Sequence, residues 1–170
     1  KPIVADFNGD GRADLLMQRQ TQGYHHLLLA NSLGQLNSIA QTITYDMGGQ
    51  IWSADAHRIV TGDFNGDNNK DVFLQATQLN GTNAVFLANE SGQFGSAQQT
   101  WGNTYLGFAW SLPKAIVHAG DFNGDGKADL FVQAKPDIVI IDYDVPFPVP
   151  RYRPNSFGIV NAKVANGSGE

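Results

Sequence analysis

Asp121-Phe122-Asn123-Gly124-Asp125-Gly126-Lys127-Ala128-Asp129 is the stretch from which the rest of the chain can be read. The same nine-residue pattern occurs at Asp6-Phe7-Asn8-Gly9-Asp10-Gly11-Arg12-Ala13-Asp14. It occurs again, with one departure, at Asp63-Phe64-Asn65-Gly66-Asp67-Asn68-Asn69-Lys70-Asp71. Oxygen-bearing side chains fall at positions 1, 3, 5 and 9 of every copy. Such a set suits a hard cation. Calcium takes roughly six to eight oxygens at about 2.3–2.6 Å in flexible geometry, whereas magnesium demands a tighter octahedron and keeps its waters. The backbone carbonyl at position 7 can add a further oxygen. The candidate calcium ligands are therefore Asp6, Asn8, Asp10, the Arg12 carbonyl and Asp14 in the first loop. They are Asp63, Asn65, Asp67, the Asn69 carbonyl and Asp71 in the second, and Asp121, Asn123, Asp125, the Lys127 carbonyl and Asp129 in the third. Zinc is a poor match, because the chain has no Cys and the loops contain no His.

Glycine at positions 4 and 6 supplies the positive φ that a chain wrapped round an ion requires. Asn68 replaces position 6 in the middle copy, and Asn tolerates the left-handed region better than most residues. An EF-hand loop begins similarly but closes with Glu at position 12 between helices. Position 12 here is Met17, Leu74 or Val132, and each loop runs directly into an apolar stretch. A solvated Asp/Asn/Gly turn would explain one copy. Three copies in register, each crowding three carboxylates into nine residues, favour a cation that offsets their mutual repulsion.

The loops mark a longer repeat. Asp63 and Asp121 are 58 residues apart, and Asp6 and Asp63 are 57 apart. Trp52-Ser53 recurs as Trp110-Ser111, Leu29-Ala30-Asn31 as Leu87-Ala88-Asn89, and Gln41-Thr42 as Gln99-Thr100. Each repeat reads as four strands. A short apolar strand (Ile59-Val60 or Ile116-Val117) precedes the loop. Leu15–Gln18 or Val72–Ala76 follows it, then His26–Asn31 or Ala84–Asn89, then Asn37–Ile43 or Gly95–Trp101. No amphipathic helix is evident. Four antiparallel strands per repeat of about 58 residues describe an all-β, β-propeller-like blade, and a closed propeller needs about four to eight of them. The chain therefore reads as a partial propeller or a fragment of a longer array. Residues 1–145 divide into repeats at 3–60, 61–118 and a truncated 119–145, followed by a Pro-rich linker and tail at 146–170. In the third repeat Ile138–Ile141 reads as a strand, and Phe157–Val160 can add an edge strand.

These loops resemble the FG-GAP/VCBS repeat, the calcium-loop blade of integrin-α-like β-propellers and of many large bacterial secreted or surface proteins. Residues 6–14 and 121–129 match its Asp-x-Asn/Asp-x-Asp-Gly-x-x-Asp pattern throughout, and 63–71 departs only at Asn68. The resemblance implies about three Ca2+ per chain and a role in adhesion or as a scaffold. It leaves the biological partner open, because the family spans adhesins, lectins, toxin components and modules attached to enzymes.

Composition agrees with that reading. The net charge is −5, and nine of the sixteen acidic residues are loop carboxylates, so the acidity belongs mostly to the candidate sites. No Lys/Arg cluster points to nucleic acid, and no apolar run is long enough to span a membrane. Without Cys, no disulfide braces the fold. Calcium modules of this kind, with dissociation constants of roughly 0.1–1 mM, fill where calcium is millimolar, which implies an extracellular, secreted or cell-surface setting.

Trp52 and Trp110 can stack on sugars, but a repeated aromatic more often packs between blades. His57, Ser53 and Asp55 form a triad only on paper, without a nucleophile elbow, so no catalytic site is read. The expected function is a calcium-binding, non-enzymatic structural or interaction scaffold. The alternatives are a carbohydrate-binding, lectin-like propeller and a non-catalytic module of a larger toxin or enzyme. The protein or glycan partner is unspecified, and further blades from the same or a neighbouring chain are expected.

Overall fold

Apolar residues flank each loop, and the loop returns the chain antiparallel to itself. In the computed structural model, which describes residues 1–105, 108–112 and 114–134, β1 (Pro2–Ala5) and β2 (Asp14–Met17) pair across the first loop with Ala5 opposite Asp14. The chain then adds β3 (His25–Leu28) and β4 (Ile39–Ile43), giving a four-stranded antiparallel sheet in simple sequence order. The second sheet repeats this plan with β5 (His57–Gly62), β6 (Asp71–Ala76), β7 (Asn83–Phe86) and β8 (Gln99–Trp101). A small antiparallel pair, β9 (Thr104–Tyr105) and β10 (Phe108–Ala109), precedes a third sheet that has two strands among the described residues, β11 (Ala115–Gly120) and β12 (Asp129–Ala134). A 3-10 turn at Met47–Gly49 occupies the corresponding place in the first connector. Among the described residues there is no α-helix. The strand expected at 138–141, the edge strand at 157–160 and the linker from 146 onward lie outside the described residues.

Two boundaries differ from expectation for definite reasons. The third strands stop at Leu28 and Phe86, short of Asn31 and Asn89, because the Ala30 and Ala88 amides turn away to bond a loop carboxylate. The fourth strand of the second sheet starts late, at Gln99. The preceding Phe94 is drawn onto the first sheet, where its amide donates to Gln41 Oε1 at 2.8 Å and its carbonyl accepts from Gln41 Nε2 at 2.6 Å.

The core lies between sheets. Phe7, Leu16, Leu27, Ile43 and Trp52 pack against Ile59, Val72, Leu74 and Phe86 of the next repeat. Val60, Phe73, Val85 and Trp101 point the other way, toward Val117, Leu130 and Val132. Strand alternation thus gives the second sheet two apolar faces, one for each neighbour. Trp52 and Trp110 are 0% and 1% exposed. Trp52 packs on Phe86 with ring centroids 4.8 Å apart, and Trp110 on Trp101 at 5.2 Å. Their indole N–H groups donate to equivalent carbonyls, Met47 O at 3.0 Å and Tyr105 O at 3.2 Å. Both are packing residues, and Trp101 fills the place of Ile43.

A repeated glutamine ties each sheet to the connector that follows it. Gln18 Nε2 donates to Trp52 O at 2.9 Å and His57 O at 2.8 Å. Gln75 Nε2 donates to Trp110 O at 2.9 Å and Ala115 O at 3.0 Å. Both glutamines are buried. Gln75→Ala removes the donor serving both carbonyls, and loss of buried hydrogen bonds costs about 2 kcal/mol. The expected result is a lower urea midpoint with an unchanged denaturant slope, measured by fluorescence. An unchanged midpoint would contradict this role.

Candidate metal centres

Each loop is folded by its own carboxylates. Asp6 accepts the Asp10 amide at 3.1 Å on Oδ1 and the Gly11 amide at 2.8 Å on Oδ2. Asp63 accepts Gly66, Asp67 and Asn68 amides at 2.7, 3.1 and 2.8 Å. Asp121 accepts Gly124, Asp125 and Gly126 amides at 2.7, 3.2 and 3.0 Å. The position-5 carboxylates, Asp10, Asp67 and Asp125, each accept the amide two residues on, at 2.9, 2.8 and 2.9 Å. Their second oxygens accept from the amide groups of Asn8, Asn65 and Asn123 at 2.9, 2.9 and 3.3 Å. Positions 1, 3, 5 and 7 are therefore brought together in all three loops. Positive φ is needed at position 6, where Gly11, Asn68 and Gly126 have φ of 81°, 71° and 84°. Asn68 is the one non-glycine with positive φ among the described residues.

Position 9 has a role that sequence reading did not assign. Asp14 Oδ2 accepts the Phe7 amide at 2.8 Å and Oδ1 accepts the Ala30 amide at 2.9 Å. Asp71 does the same with Phe64 at 2.7 Å and Ala88 at 2.9 Å. Asp129 accepts Phe122 at 3.0 Å. All three aspartates are buried. They clamp the loop to the strand ends, and the recurring Leu-Ala-Asn was the available sequence signal.

These clamps leave negative charge in a poorly solvated place. Burial pushes Asp71 up to about 7, against the lowering effect of its two amide bonds, with Asp67 and Asp63 adding to the rise. Burial likewise pushes Asp129 up to about 6 and raises Asp14. A bound cation would oppose all three shifts.

The donors are uniformly hard oxygens, and an ionised carboxylate holding one or two amides retains further lone pairs. Among the described residues, no three His, Cys, Asp or Glu side chains form a cluster able to hold a metal unaided. An ion here would draw on amide and carbonyl oxygens as well as carboxylates. That donor chemistry fits calcium.

The loops also touch one another. The position-8 amides of Lys70 and Ala128 donate to the position-1 carbonyls of the preceding loop, Asp6 O at 2.9 Å and Asp63 O at 2.6 Å. A Cβ on Gly9 would lie 2.8 Å from Asn69 Oδ1, and one on Gly66 would lie 3.2 Å from the Lys127 side chain. Position 4 is thus glycine partly because the next loop's position-7 side chain occupies that space. The loops and the ends of β1, β5 and β11 line an open cleft of about 520 Å³, with Asp6, Asp63, Asp121, Lys70 and Lys127 on its walls.

His57 is buried, and its ring nitrogens face the Ile51 and Thr82 carbonyls, the latter at 2.7 Å. The ring's hydrogen bonds go to these carbonyls and not to the side chains of Ser53 or Asp55. The ring ties the connector at Ile51 to the turn before β7 at Thr82.

A family model described as FG-GAP-like repeat matches residues 6–74 and again residues 63–132. No curated protein matches the chain significantly. Among solved structures, the chain is similar to a lectin of Agrocybe aegerita, described as showing specific recognition of non-reducing terminal N-acetylglucosamine. The identity is 26% and the TM-score 0.55, over 78% of this chain and 32% of that one. The chain thus spans about a third of that lectin's length.

The raised carboxyls have a definite linkage sign. A folded-state pKa above the unfolded value means that protonation favours the fold, so this contribution is lost as pH rises from about 4 toward 7. In a chelator, carbon NMR of the side-chain carboxyls is expected to show Asp71 titrating near 7 and Asp129 near 6. Titration of both near 4 would contradict the picture of buried, uncompensated clamps.

Proposed function

The chain belongs to the FG-GAP-like repeat family, and from that premise we propose that it is a calcium-stabilised segment of a β-propeller. Its role is that of a non-enzymatic scaffold or interaction module in a secreted or surface protein. The observation that carries this reading is the threefold loop. Three carboxylates, one Asn side chain and one backbone carbonyl recur at fixed spacing, and the buried member of each carboxylate set has a raised pKa. One ion is assigned to Asp6, Asn8, Asp10, Asp14 and the Arg12 carbonyl, and the equivalent sets serve the other two. Calcium there would neutralise the loop and favour ionised clamps. With millimolar calcium and a dissociation constant of about 0.1 mM, each site adds roughly 2 kcal/mol to stability.

A second reading draws on the lectin similarity: the segment contributes to carbohydrate binding. The buried tryptophans are unavailable for stacking on a sugar, which moves attention to exposed aromatics such as Tyr24. Binding of N-acetylglucosamine-terminated glycans to an array, lost in Tyr24→Ala, would favour this reading; an array without signal would count against it.

Asp10→Ala tests the ion assignment with least damage to the fold, because Asp10 is at the solvent side of its loop and is not one of the clamps. Titration calorimetry is expected to fall from three calcium ions per chain to two. An unchanged stoichiometry would reject the assignment.

A further inference from the structure

His25 is buried on the face of β3 that also carries Leu27, in the layer between the first and second sheets. Its Nδ1 accepts the backbone N–H of Arg19, in the turn between β2 and β3, at 3.0 Å. A ring nitrogen that accepts carries no proton, so the neutral ring holds its proton on Nε2. Nε2 is buried and has no hydrogen-bond partner among the described residues.

The second sheet fills the same place with Asn83, 58 residues on and equally buried. Asn83 Oδ1 accepts the Ala76 amide at 2.9 Å, and its Nδ2 donates to Gly102 O at 3.1 Å. One junction thus has a side chain that cannot titrate and whose donor and acceptor are both used. The other has an imidazole with only its acceptor used. The counterpart of the Gly102 carbonyl is that of Thr44, since Ile43 pairs with His25 as Trp101 pairs with Asn83. Thr44 O instead accepts the Met47 amide at 3.3 Å, at the start of the 3-10 turn.

Among the described residues, the charges acting on His25 are all positive. Burial lowers its pKa, and Arg19, His26 and the amino group of Lys1 lower it further. β4 and β7 carry no titratable side chain. The Asp55 carboxylate of the connector accepts from Gln20 Nε2, and the His57 ring of β5 faces two carbonyls.

We propose that His25 is an acid-sensitive latch, whose protonation releases the turn between β2 and β3. An imidazolium carries N–H on both nitrogens, so Nδ1 would face the Arg19 amide donor to donor. The same turn is the first sheet's hold on the connector to the second. Arg19 O accepts the Ala54 amide at 2.8 Å, and Gln20 O accepts the Asp55 amide at 3.0 Å. Release of Arg19 therefore loosens the junction at that end, beside the exposed Tyr24. The closed turn excludes a proton that the open turn binds with an ordinary histidine's pKa of about 6.5. This support for the fold is complete above that value and is lost as pH falls below it. Asn83 gives the second junction no such dependence.

Backbone hydrogen exchange by NMR on the full chain tests this, with rates corrected for the intrinsic effect of pH. Between about pH 7 and about pH 5 the Arg19 amide is expected to lose protection by roughly tenfold or more. The Ala76 amide, held by Asn83, is expected to keep its own. His25→Asn imports the second sheet's side chain and is expected to abolish the Arg19 loss. An Arg19 amide equally protected at both pH values overturns the proposal. So does a parallel loss at Ala76, or an equal Arg19 loss in His25→Asn. If that variant does not fold, the wild-type contrast between Arg19 and Ala76 decides the matter.

Discussion

A buried carboxylate at the ninth loop position holds each of the first two blades together. In the second sheet, Asp71 reaches back to the Phe64 amide and across to the Ala88 amide, fixing the loop and the end of β7 with one side chain. Hydrogen bonds to a charged group are each worth about 1.5–3 kcal/mol, but removing the charge from water costs several kcal/mol. The raised pKa of Asp71 shows that two amides alone do not offset that cost. The rest of the loop follows from this imbalance. Hard oxygens are gathered around a buried anion, in the arrangement that a divalent cation would complete.

The second constraint is that a single blade cannot bury its own apolar faces. Val72 and Leu74 need the sheet before them, and Phe73 and Val85 need the sheet after. Stability therefore resides in junctions between neighbours, as in repeat proteins generally. Each junction has an apolar layer, a tryptophan from the connector, a glutamine bonded to connector carbonyls and a backbone bond between successive loops. The loops stand at one edge of these layers, so whatever orders a loop also orders the junction beside it. This is the physical route by which ion binding would stiffen the array.

The motif register made much of this legible. Gly11, Gly126 and Asn68 were readable as positive-φ positions from the loop pattern alone, and the strands after each loop followed from their apolar runs. Trp52 and Trp110 could be read as packing residues because they recur at the repeat spacing. The inter-sheet bonds were not legible. Gln18 and Gln75 bond carbonyls 34–40 residues away, and nothing local distinguishes them from surface glutamines. Periodicity was their one signal, since each lies twelve residues after the first Asp of its loop. The clamp role of Asp14 and Asp71 was hidden for the same reason: its partners, the Ala30 and Ala88 amides, lie just past the end of the third strand, 16 and 17 residues away. The β9–β10 pair, where the first connector has a 3-10 turn, had no pattern to announce it.

The central claim is that the loops are calcium sites on which the fold depends. Thermal unfolding of the same preparation in calcium, in magnesium and in a chelator tests it most directly. The account predicts a large rise in melting temperature with calcium, little with magnesium, and the lowest value in chelator. Identical melting temperatures in all three would mean that the carboxylates fold their loops unaided, and the assignment of calcium to them would be wrong.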